Sequence, residues 1–145
     1  MRVPLGIGFL SCALGISGCV GTPKVNRTNV PASTVHGTGL SGVVNGGQQP
    51  IAGASVYLYA ANTAGAGGAS TSLLTSAGGT TVDGSGNYYV TTNASGVFTI
   101  TGDYTCPSGN AQVYLYAVGG NPGSGTNSAA GLLAALGSCG SLLTR

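Results

Sequence analysis

Residues 54–61 read ASVYLYAA, and nearly the same string returns at residues 111–118 as AQVYLYAV. Large and small apolar side chains alternate in both with the period of two that marks a β-strand. That period places Val56, Leu58 and Ala60 on one face and Tyr57 and Tyr59 on the other. The second copy sorts the same way, with Val113, Leu115 and Ala117 set against Tyr114 and Tyr116. If the aliphatic side chains line a core, the sheet carries its tyrosines on the opposite face.

Working outward, the flanking chain keeps the same grammar of short β-prone runs and glycine-rich turns. Residues 40–44 (LSGVV) make a first strand, and residues 45–50 (NGGQQP) make a turn. Residues 88–92 (YYVTT) and 97–101 (VFTIT) flank Asn93-Ala94-Ser95-Gly96, the pattern of a β-hairpin closed by a four-residue turn. A long glycine-rich loop, about residues 62–87, separates the second strand from that hairpin, and residues 72–75 (SLLT) suggest an edge strand within it. With 28 glycines and 6 prolines in 145 residues the chain approaches low-complexity composition. Against disorder stands a hydrophobic content of 42% gathered into alternating runs. The expected fold class is all-β, a small Greek-key-type β-sandwich over residues 38–120.

The stretch LSGVVNGGQQPIAGASVYLY, followed after the loop by TTNASGVFTITG, resembles the carboxypeptidase regulatory-like domains of the prealbumin (transthyretin) fold. The matching residues are Gly42, Pro50, Gly53, Ala54, Val56, Thr92, Gly96 and Phe98, within a resemblance that covers residues 40–118. It departs from the family pattern in its longer loop and in Gly119-Gly120-Asn121-Pro122, where a closing Gly-Tyr is usual. The resemblance implies a prealbumin-like sandwich acting as a non-catalytic module of an exported protein.

The N-terminus reads as an address. Arg2 precedes an uncharged apolar run through Val20, the plan of a secretory signal. Its end, Ile16-Ser17-Gly18-Cys19, resembles the lipobox of bacterial lipoproteins. That resemblance implies cleavage after residue 18 and acylation of Cys19, with two or more acyl chains to hold the protein stably on a membrane. A membrane-spanning helix and an ordinary cleaved signal are the competing readings. Cys12 fits a lipobox less well and would leave with the signal peptide. Residues 19–37 carry Pro23, Pro31, Lys24 and Arg27 without periodicity, and read as a tether.

Beyond Cys19 the chain has two cysteines, Cys106 and Cys139, an even pair in an exported protein. A disulfide between them would close a loop of about 33 residues, worth roughly 3–4 kcal/mol by chain entropy. The rival, a metal pair, has no cluster of histidines or acids with it. Within that loop, residues 128–136 (SAAGLLAAL) read as a short apolar helix, capped by Asn127 or Ser128 and stopped by Gly137. The disulfide would staple this tail, residues 121–145, to the sandwich. The last residues show no strand pattern, compatible with continuation into a longer chain.

Charge is scarce. Arg2, Lys24, Arg27, Asp83, Asp103 and Arg145 are the only ionised side chains, and the net charge is +2. Nucleic-acid binding needs clustered cations and is not expected. Catalysis needs positioned titratable groups, yet the sole histidine, His36, lies in the tether. Asp83-Gly84-Ser85-Gly86-Asn87 has too few acids for a calcium loop and reads as a turn. No enzyme activity, metal or cofactor is expected. The expected role is a lipid-anchored structural or adhesive module of the cell envelope, exported and held at an outer membrane or cell surface through Cys19. Its partners would be that membrane and a surface protein or glycan. Two alternatives remain: a carbohydrate-binding accessory using the tyrosine face (Tyr57, Tyr59, Tyr114, Tyr116), and a subunit of a surface filament. Cross-strand pairing alone is a sufficient reason for those tyrosines.

Overall fold

The structure, a computed structural model, describes residues 39–77, 79–101 and 104–142. The signal segment, its expected helix, Cys19 and the tether lie outside the described residues. Ten strands and one short helix follow in order. They are β1 (Leu40–Val43), β2 (Asn45–Gly46), β3 (Gln49–Pro50), β4 (Ser55–Ala60), β5 (Thr71–Ser72) and β6 (Thr81–Val82). Then come β7 (Tyr88–Thr91), β8 (Val97–Ile100), β9 (Gln112–Val118), β10 (Gly131–Ser138) and α1 (Cys139–Leu142). The fold is all-β and sandwich-like.

The larger sheet runs β10-β9-β4-β7-β6, with β5 paired to the part of β4 that β7 does not reach. The smaller sheet is the antiparallel pair β1-β8, and β2-β3 is a separate hairpin. Val56, Leu58, Ala60, Val113 and Ala117 of the larger sheet are buried with Val44, Phe98 and Ile100 in one core. The period-two reading of the repeated string therefore holds. Leu73 and Leu74 of the long loop enter that core, and β5, Thr71–Ser72, pairs with β4 alone among the described strands, an edge strand as expected.

Two expectations are corrected. The Asn93–Gly96 turn forms as read, but it does not close a hairpin. Instead β7 pairs with β4 and β6, and β8 pairs with β1, so the chain crosses from one sheet to the other. The reason lies in Val90, Phe98 and Ile100, which face one core from opposite layers. Gly96 allows the crossing with a positive φ of 70°, and a β-carbon there would sit 2.6 Å from the Val44 carbonyl oxygen.

The second correction is the helix expected over residues 128–136. Residues 131–138 are strand β10, paired antiparallel to β9, and the only helix among the described residues is α1. Asn127, read as a cap, instead folds its own turn by accepting the Ala129 N–H at 3.0 Å. A nine-residue helix gains little in water. The outer edge of β9, left bare, would strand a row of backbone donors and acceptors. Pairing with β10 satisfies them and outweighs the alanines' helix preference. The segment read as a tail thus extends the larger sheet, while Cys106 and Cys139 do form the expected disulfide, with Cα atoms 5.8 Å apart.

Most residues that carry the family resemblance prove to be backbone devices. Thr92, a buried polar side chain, accepts the Ala54 N–H at 2.8 Å and donates to the Ile51 carbonyl at 2.7 Å. Its backbone N–H donates to Ala54 and its carbonyl accepts from Gly53. Gly42 lies opposite Phe98, whose ring would be 2.9 Å from any β-carbon there.

Candidate functional site

The four tyrosines come together as expected. Register sets Tyr57 opposite Tyr116 and Tyr59 opposite Tyr114 across β4 and β9. The ring centroids of those pairs are 6.4 and 5.7 Å apart, and Tyr57 stacks on Tyr59 at 5.7 Å with 13° between planes. Tyr89 of β7 joins the row at 5.3 Å from Tyr57, while Tyr88 turns inward against the core. Leu133 and Ala135 of β10 lie opposite Tyr116 and Tyr114 and so extend the same face.

The long loop ties both ends of this row. Tyr57, 8% exposed, donates its hydroxyl to Asp83 at 3.3 Å, and the hydroxyls of Tyr114 and Ser70 bond at 2.8 Å. Asp83 is itself committed to its turn. Its Oδ1 accepts the backbone N–H groups of Ser85 and Asn87 at 2.8 and 2.9 Å, and its Oδ2 takes Tyr57 and the Asn87 amide. The Asn87 N–H above all holds this carboxyl below its ordinary pKa. Among the described residues no three His, Cys, Asp or Glu side chains lie together as metal ligands would.

Burial first, and Asp83 second, push the Tyr57 phenol up to about 12. Burial raises the Tyr59 and Tyr104 phenols as well. Since the folded chain holds these protons more tightly than the unfolded chain, the Tyr57 contribution is intact below the ordinary tyrosine pKa of 10.0 and is lost as pH climbs toward 12, and Tyr59 and Tyr104 act in the same direction. Stability is therefore expected to fall across that window. In an absorbance titration, Tyr57→Phe should remove an ionisation step near pH 12; an unchanged curve would contradict the assignment.

Comparison with protein-family models, with characterised proteins and with solved structures finds no match.

The second candidate is a region the residue pattern did not reveal. The smaller sheet has two strands and leaves Leu115 of β9 only partly covered and Leu132 and Ala134 of β10 exposed. A cleft of about 410 Å³ opens there, lined by Gly42, Val43 and Phe98 on one side and by Leu115, Leu132 and Ala134 on the other. Leu132 is 40% exposed and Leu133, on the outer face, is 67% exposed. The signal was present as a short apolar run bracketed by Gly131 and Gly137, but such runs do not distinguish strand from helix.

Proposed function

We propose that this protein is a lipid-anchored, non-catalytic β-sandwich module of the bacterial cell envelope with a structural or adhesive role. The anchor reading rests on Ile16-Ser17-Gly18-Cys19 after an apolar run with one preceding cation. Among the described residues, one observation carries the structural and adhesive role over sugar binding. The tyrosine rings pack on one another, and the hydroxyls of Tyr57 and Tyr114 are spent within the chain. Stacking on sugar would need free ring faces and free polar partners beside them. The contact surface left over is apolar strand edge and cleft, which suits association through backbone pairing and apolar burial.

The direct test is an intact mass under non-reducing conditions of the protein extracted from a bacterial membrane fraction. The expected mass is that of residues 19–145 plus acyl chains, less two hydrogens for the disulfide. A soluble or uncut product would overturn the anchor. A glycan array tests the other half: no binding is expected, and specific sugar binding lost on Tyr59→Ala would shift the role to carbohydrate recognition.

A further inference from the structure

We propose that β10 pairs edge to edge with β10 of a second copy, antiparallel, with the two-fold axis at Leu133. The phase of the ladder sets which groups are available. Gly119 donates to the Ala130 carbonyl at 2.9 Å, so alternate residues Leu132 and Ala134 bond to β9. Gly131, Leu133 and Ala135 therefore direct their N–H and C=O groups away from β9. No described strand pairs with that edge.

Natural edge strands are usually guarded by Lys, Pro, brevity or a bulge. This one is eight residues long, contains no charge and no proline, and is mostly apolar on both faces. Its one irregularity, between Ala135 and Gly137, limits the pairing stretch to residues 131–135. Leu133 is the centre of that stretch.

A second copy fits because the stretch is complementary to itself. Antiparallel pairing about Leu133 sets Gly131 opposite Ala135 of the other copy and Leu133 opposite Leu133, so that small residues flank the two leucines. On the other face Leu132 meets Ala134, large against small. Three hydrogen-bonded pairs supply about six backbone bonds. Electrostatics does not oppose the approach, since no charged residue lies between Asp103 and Arg145. The contact is isologous and closes at two copies, unlike the head-to-tail contact that a filament needs. Its length places it below the roughly 1,200 Å² of stable complexes, so it forms at high local concentration. The proposal does not depend on the lipid anchor.

The test uses the full chain purified from membranes, with mild oxidation of two single-cysteine variants. Leu133→Cys is expected to yield a covalent dimer. Val82→Cys, on β6 at the opposite edge and 51% exposed, is expected to remain monomeric. Leu133→Lys should weaken association in sedimentation at least about tenfold, with the unfolding midpoint unchanged because the side chain is exposed. A Leu133→Cys protein that stays monomeric would overturn the proposal. So would cross-linking of Val82→Cys to the same extent, or a mixed Leu133→Cys and Val82→Cys product. An unacylated chain that dimerises through Leu133→Cys would sink the anchor alone, whereas an acylated monomer would sink only the pairing.

Discussion

Thr92→Val is expected to lower the free energy of unfolding by about 2–4 kcal/mol, although the two side chains are nearly the same shape. The valine methyl can neither accept from Ala54 N–H nor donate to the Ile51 carbonyl. Each buried backbone group left unsatisfied costs about 1–3 kcal/mol. Both bonds make Thr92 a hub that ties the end of β7 to residues 51–54, which lead into its neighbour β4. Thr92→Ser keeps the hydroxyl and should lose only part of this, about 1 kcal/mol for the missing methyl. Urea unfolding followed by circular dichroism measures both. A Val variant with an unshifted midpoint would mean that water replaces the hydroxyl and that the hub reading is wrong.

Breaking the Cys106–Cys139 bridge is the other large effect. Cys106→Ala with Cys139→Ala should cost about 3–4 kcal/mol by chain entropy. That is a large fraction of the roughly 5–15 kcal/mol available to a domain of this size. Cys139 is fully buried, its N–H donates to Ala111 at 2.7 Å, and Leu142 of α1 is also in the core. Reduction should therefore free the end of β10 before the rest of the sandwich. Hydrogen exchange should show earlier opening at residues 131–142 than at β4 in the double variant. Uniform protection in both forms would show that β10 is held by its ladder and not by the bridge.

The two copies of Val-Tyr-Leu-Tyr-Ala carried their own assignment. Alternation specifies a strand and its two faces without outside help, because a one-residue slip would turn Val56, Leu58 and Ala60 outward. The tyrosine row followed from that alternation, and the register Tyr57 to Tyr116 and Tyr59 to Tyr114 then made it one cluster. The Cys106–Cys139 pair was legible by count. Less legible was Tyr57's near burial, since it depends on Asp83, 26 residues away in a loop without periodicity.

Local pattern could not settle where sheet edges fall. The runs at residues 88–92 and 97–101 are strands joined by a tight turn whether they pair with each other or part into two layers. The hub at Thr92 and the core contacts of Phe98 and Ile100 decide for two layers, and those partners are distant in sequence. The same holds for SAAGLLAAL, whose alanines and leucines suit a helix until β9 offers an unpaired edge.

What the amino-acid sequence determined by itself is therefore whatever is written at period two: the strand class, the inward and outward faces, and the tyrosine row. The tertiary structure alone decided which strand lies beside which, that residues 131–138 become an edge, and that Leu132 and Ala134 of β10 stay open beside the core. The reason is the range of the forces. Side-chain alternation is a property of neighbouring residues, whereas backbone pairing is satisfied by any exposed edge and is settled only when the whole core has closed.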